Sequence, residues 1–142
     1  MEPIEMGAIR VNVKLTNAVD EGLVSRGLIA PHLLRSLETE ALVDTGALTL
    51  VIPPELLEPL GLRIRGQQLA QYANGFEEAI GVTDGVIVEL MGRQALVEAL
   101  VVGNEVLIGQ VVLELIDLLA DCRNQRLIPN HGSPDYPLAI IK

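Results

Sequence analysis

One stretch of this sequence combines residue types and order that can do chemistry. In Ala41-Leu42-Val43-Asp44-Thr45-Gly46-Ala47 an apolar run delivers a single carboxylate and stops at once in a small-residue turn. Leu42 and Val43 desolvate the carboxylate, and Thr45 offers a hydroxyl that can lock the turn. Gly46 lets two backbones approach closely, and Ala47 leaves the floor of a cleft open. Such a carboxylate works best in a pair. Two carboxyls about 3 Å apart cannot both ionise easily, so they share a proton and titrate as a unit. The ionised member draws a proton from water, and the protonated member donates to a carbonyl oxygen. The sequence holds one Asp-Thr-Gly. Paired chemistry therefore requires the second carboxylate from another copy of the chain, and a homodimer is expected.

The 142 residues suit one domain with a core that needs no staples. Hydrophobic residues make up 49 % but aromatics only 2 %, so Leu, Val, Ile and Ala must build that core. The mean hydropathy of +0.39 suggests that a partner covers some apolar surface. The net charge is −9, from 19 acidic and 10 basic residues, and Arg63 and Arg65 are the densest basic pair. Neither nucleic-acid binding nor a polybasic membrane patch fits that balance. Cys122 is the single cysteine, so no intrachain disulfide can form. With His32 and His131 it makes no metal-ligand spacing, and no metal or cofactor is expected. Residues 1–5 are acidic and lack the apolar stretch of a secretory leader. The apolar residues 106–120 are interrupted by Gln110, Glu114 and Asp117, too soon to span a membrane. A reduced cytosol is the expected location.

The elements that must position Asp44 read as short strands. Residues 9–15 alternate apolar and polar, as a half-buried strand does. Gly22, Gly27 and Pro31 argue for a loop over residues 20–37, with a helical turn near 32–37. Residues 38–43 form the strand that ends at Asp44, and residues 48–52 form the next, with Leu48, Leu50 and Ile52 expected to line an apolar cleft. Pro53-Pro54 opens a short helix that Gly61 closes. Residues 67–73 and 76–82 flank Asn74-Gly75, a hairpin turn. Asp84-Gly85 reads as another turn, and residues 86–90 and 95–102 flank a second hairpin at 91–94. Gly109 begins a buried helix whose Gln110, Glu114, Asp117 and Asp121 form one polar stripe. Residues 129–137 read as a loop and residues 138–141 as a last apolar β-segment. The sum is a small all-β, barrel-like domain with one helix near its end.

Over residues 37–122 or so the chain resembles the retroviral-type, retropepsin-like aspartic proteases in their single-lobe bacterial form. The resemblance rests on residues 41–47, on the hairpin around Asn74-Gly75 where that family carries its flap, and on Leu107-Ile108-Gly109 before the helix. It implies a small closed acid-protease-like β-barrel lobe with one short C-terminal α-helix. Residues 1–37 would be an N-terminal strand and loop, 38–128 the catalytic core, and 129–142 a C-terminal loop and dimer strand. It implies an endopeptidase in which Asp44, Thr45 and Gly46 are the catalytic set. Thr45 would hydrogen-bond across the two-fold axis and Gly46 would contact the peptide backbone. Ala47 and Leu48, with Ala73, Asn74, Gly75 and Phe76 of the flap, would bind a peptide or protein substrate. Viral members often have an acidic residue where this chain has Leu48 and an Arg where it has Gln110, so both halves of an ion pair are replaced together. The flap has one glycine where viral flaps have several, and Glu77-Glu78 adds negative charge beside it. That departure leaves three readings open: a stiffer flap, a preference for basic peptides, or a non-catalytic peptide-binding module on the same fold.

Other candidates favour plain structural roles. Ser25, Ser36 and Ser133 lack a nucleophile-elbow setting. Cys122 reads as a small, half-buried residue at a helix end, and His131 as a solvated loop residue.

Overall fold

A computed structural model describes residues 8–130 and 135–141. The alternation at the start produces β1 (Ile9–Asn17), with Ile9, Val13 and Leu15 buried. Then come α1 (Ala18–Ser25), β2 (Ser36–Val43), β3 (Leu50–Ile52), α2 (Leu57–Leu60), β4 (Ile64–Gln71) and β5 (Glu77–Leu90). They are followed by β6 (Arg93–Val101), β7 (Val106–Ile108), α3 (Gln110–Ile116), β8 (Leu118–Asp121) and β9 (Arg126–Pro129). Pairing runs β1-β2-β7-β3-β6-β5 and returns from β5 to β1, so the sheet closes on itself, and β4 extends it from β5. Closure removes most of the unpaired strand edges that an open sheet exposes. The interior is aliphatic, as the composition requires. Leu15, Leu50, Ile52, Val86, Val88, Ile108 and Ile116 are fully buried. The all-β expectation with a C-terminal helix therefore stands.

Several boundaries differ from the sequence reading. Residues 18–25 are helical rather than loop. The Asn17 side chain accepts from the Asp20 amide at 3.0 Å, an N-cap, and Asp20 and Glu21 favour the positive end of the helix. Gly22 masks this helix in the sequence. The expected turn near residues 32–37 is a single 3₁₀ turn at Pro31–Leu33, and β2 has begun by Ser36. The helix after Pro53-Pro54 forms, closed by Gly61 at φ 62°. Asn17 is 2 % exposed and also donates to the carbonyls of Leu60 (2.9 Å) and Gly61 (3.1 Å). Asn17→Ala removes the cap and strands two buried carbonyls. It is expected to cost about 2–3 kcal/mol, read as a lower urea midpoint at unchanged slope.

Asp84-Gly85 is not a turn. Both residues lie inside β5, a single strand in which Thr83 and Asp84 together oppose Ala99. This is a β-bulge. The Thr83 hydroxyl accepts from the Ala99 amide at 3.0 Å and so replaces the ladder bond that the bulge interrupts. The Asp84 carboxylate is buried and receives both Nε (2.8 Å) and Nη2 (3.1 Å) of Arg63. Asp20 holds Arg35 in the same two-pronged way, at 2.8 and 2.9 Å. The hydrogen bonds from Arg35 and Arg63 pull the Asp20 and Asp84 carboxyls below their ordinary value of 3.8. A depressed carboxyl stabilises the fold above the unfolded value and loses that contribution as pH falls through its own. The urea midpoint is therefore expected to hold down to about pH 5 and to fall steeply below pH 4, with Asp84→Asn flattening the fall.

The second hairpin turns on Met91 and Gly92 alone, both at positive φ, so β6 starts at Arg93 rather than at 95. α3 ends at Ile116 because Asp117 adopts a left-handed conformation at φ 56°. Buried Arg93 donates to the carbonyls of Ile116 and Asp117 at that end. Asp117 and Asp121 thus leave the helical stripe, and Asp121 closes β8. Cys122 sits exposed in the β8–β9 turn rather than half-buried at a helix end. Pro129 belongs to β9, so the loop starts one residue later than expected. Residues 138–141 form no strand within the chain, and Leu138, Ile140 and Ile141 are exposed. Residues 1–5, His131 and Ser133 lie outside the described residues. Among the described residues no helix is long and apolar enough to cross a membrane.

Candidate active site

β2 delivers Asp44 and β7 holds it in place. The two strands are parallel, with Val43 beside Ile108, and the Asp44 amide continues the ladder by donating to the Ile108 carbonyl at 2.9 Å. β7 also pairs antiparallel with β3, so it lies between the two strands that flank the turn. Within the turn, the Ala47 amide donates to the Asp44 carbonyl at 3.0 Å. The Gly46 amide donates to Asp44 Oδ1 at 2.9 Å, which fixes the orientation of the carboxylate.

Gly109 explains the third motif. The first amides of α3 have no partner within the helix. Gln110 donates instead to the Ala47 carbonyl (3.0 Å) and Val111 to the Leu48 carbonyl (2.9 Å). The two strands of turn and helix therefore meet where residue 109 has no side chain. A Cβ there would lie 2.4 Å from the Thr49 carbonyl oxygen and 2.6 Å from that of Ala47. The replaced viral positions, Leu48 and Gln110, fall on either side of this seam.

Asp44 opens onto a cleft of about 490 Å³, in which it is the one charged residue among the described residues that line it. Gly46, Ala47 and Leu48 line it from the turn, Val51 from β3, and Leu100 and Val102 from the end of β6. The β4–β5 hairpin covers it with Gln68, Leu69, Ala70, Gln71, Tyr72 and Ile80. Leu50 and Ile52, expected in the cleft, point into the core instead, and Val51 takes their place. Strand alternation is legible in sequence, but which face meets the core is set by the neighbouring strands.

The candidate residues divide into three groups. Asp44, Gly46, Ala47 and Leu48 share the cleft. Thr45 is exposed beside a separate depression lined by Gln110, Leu113, Glu114 and Leu118. Ala73, Asn74, Gly75 and Phe76 form the hairpin tip and do not line the cleft. There Gly75 takes φ +86°, the Gly75 amide donates to the Tyr72 carbonyl, and Asn74 Oδ1 accepts from the Phe76 amide at 2.9 Å. The Tyr72 and Phe76 rings stack with centroids 5.9 Å apart. The cleft residues of β4, β5 and β6 carry no motif. Only the pairing of three strands distant in sequence brings them over Asp44.

A family model described as "Aspartyl protease" matches residues 33–118, which contain Asp44, the hairpin and Gly109. Among solved structures, the chain is similar to the solution structure of the simian foamy virus (mac) protease. The identity is 17 %, the match covers 73 % of this chain and 90 % of that one, and the TM-score is 0.46. No curated protein matches the chain. With its Asp-Thr-Gly turn joining β2 to β3 inside the matched segment, the chain belongs to the aspartyl protease family.

Proposed function

We propose that the chain is an aspartic endopeptidase that works as a homodimer, with Asp44 of each subunit facing the other across a two-fold axis. The observation that carries this reading is the Asp44 carboxylate, oriented by the Gly46 amide at the edge of a hairpin-covered cleft. One carboxyl of the pair stays protonated and donates to the scissile carbonyl oxygen. The other takes a proton from a water, whose oxygen attacks the carbonyl carbon. The resulting tetrahedral adduct collapses as the amide nitrogen is protonated and the C–N bond breaks. The hairpin holds an extended peptide by strand-like hydrogen bonds. Leu48, Val51, Ile80 and Leu100 favour apolar side chains beside the cut. Thr45 and the exposed segment from Leu138 to Ile141 are the proposed contacts between subunits.

Cleavage of a mixed peptide library from about pH 3 to 7 by wild type and Asp44→Asn tests the reading. Bond-specific products from wild type alone, with an acidic optimum, support it. No cleavage by a folded, dimeric wild type overturns it. That result would favour a peptide-binding module, a reading to which the hairpin stiffened by Tyr72 on Phe76 lends some support.

A further inference from the structure

Glu77 and Glu78 are adjacent in sequence, yet β5 sends them to opposite faces. The register pairs Gln68 with Ile80 and Ala70 with Glu78. Residues directly opposite in an antiparallel pair share a face. Ile80 is 7 % exposed and lines the cleft, as Gln68 and Ala70 do. Glu78 therefore shares the face of Ile80, Gln68 and Ala70, one pair further out along the hairpin than Ile80. The Tyr72 hydroxyl donates to Glu78 Oε1, and Tyr72 lines the cleft as well. Glu77 is paired with Gln71 on the other face, whose Leu69 and Gln71 also line the cleft, but the bond to Tyr72 belongs to Glu78.

The charges around the cleft are one-sided. Asp44 lies at its floor, Glu78 is tied to its edge through the bond from Tyr72, and no Lys, Arg or His is among the described residues that line it. The nearest basic residues on the hairpin are engaged elsewhere: Arg63 on Asp84, and Arg65 on Glu98 at 2.8 Å. Among the described residues Glu78 has no basic partner. The hydrogen bond to this carboxylate pushes the Tyr72 phenol above its ordinary range, so Tyr72 stays a donor and keeps Glu78 oriented.

We propose that Glu78 selects substrates in which a Lys or Arg lies close to the apolar residue at the cut, the basic head pairing with Glu78 under the hairpin while the apolar side chain fills the floor lined by Leu48, Val51 and Leu100. The proposal rests on the peptidase reading for its setting, but not for its measurement, because the selection acts on binding. Arg suits the site better than Lys, since a planar guanidinium can engage the carboxylate and lie against the Tyr72 ring.

The test is a set of peptides with a common apolar core and a single Arg, or neutral citrulline, moved through the flanking positions. Their kcat/KM values are measured for wild type, Glu78→Gln and Glu77→Gln. Affinity for fluorescent versions is measured in parallel on all three proteins, with the same change in the Arg-to-citrulline ratio expected. At one position Arg is expected to exceed citrulline by about three- to tenfold, the range for a partly screened charge pair. Glu78→Gln should reduce that ratio to near unity, and Glu77→Gln should preserve it. Using the ratio removes any general loosening of the hairpin, because that would slow both peptides alike. Equal handling of Arg and citrulline by wild type at every position overturns the proposal, as does a preference that survives Glu78→Gln. Arg-selective binding without cleavage would uphold the role of Glu78 while overturning the peptidase reading, so the two failures are distinguishable.

Discussion

Asp44→Asn is expected to lower kcat/KM by about 10⁴-fold or more while leaving the fold intact. Asn has the shape of Asp, and its side-chain oxygen can still accept from the Gly46 amide as Asp44 Oδ1 does at 2.9 Å. What it loses is the ability to exchange a proton, which both steps of the proposed chemistry use. A mixing experiment then separates a shared site from a self-contained one. If two chains contribute one carboxylate each, mutant chains capture wild-type chains in dead heterodimers. With a fixed amount of wild type, activity should fall to about one half at equal amounts and to about one tenth with about ninefold excess of mutant. Undiminished activity at every ratio, under conditions where subunits exchange, would overturn the shared site. The working range carries its own limit. The dyad needs a protonated member and so favours acid, yet the stabilisation from Asp20 and Asp84, held below 3.8 by Arg35 and Arg63, is lost as pH falls through their lowered values. Loss of activity at the acid end should therefore track unfolding, visible as coincident far-ultraviolet circular dichroism and activity midpoints.

Gly109→Ala is the second large expected effect, and it involves no reacting group. The added methyl would lie 2.4 Å from the Thr49 carbonyl oxygen, 2.6 Å from that of Ala47 and 2.7 Å from the Thr49 amide nitrogen. All three are backbone atoms, and the Ala47 carbonyl is held by the Gln110 amide, so no side chain can swing away to make room. Either α3 retreats, breaking the Gln110 and Val111 bonds to the turn, or the turn lifts and carries Asp44 with it. Overpacking of this kind costs about 1–3 kcal/mol, and the lost bonds add to it. A displacement of about 1 Å at the carboxylate can cost about 10²-fold in rate. Urea unfolding reads the first quantity. kcat/KM measured well below the unfolding midpoint reads the second. A folded variant with wild-type kcat/KM would show that the seam does not position Asp44.

The residues able to do chemistry are legible without a structure because their signal is local. An apolar run, an aspartate and small residues follow one another in sequence, and the strand and turn they form need no distant information. The alternation in β1 and Gly61 at the end of α2 are local in the same sense. Asp117 and Asp84 misread for the opposite reason. Asp117 continues a helical polar spacing, but Arg93 and the left-handed backbone end the helix there. Asp84-Gly85 has turn composition, but Ala99 and Arg63 hold it inside a bulged strand. The cleft lies at the far end of this scale. That Leu50 and Ile52 face inward while Val51 lines the cleft, and that Glu78 rather than Glu77 shares the face of Ile80, follows from register. Register depends on which strands pair across dozens of residues. Sequence alone determined the carboxylate, its turn and the family resemblance. The walls of the cleft, the seam at Gly109 and the division between Glu77 and Glu78 were decided by tertiary structure, because a strand's two faces are equivalent until its neighbours bury one of them.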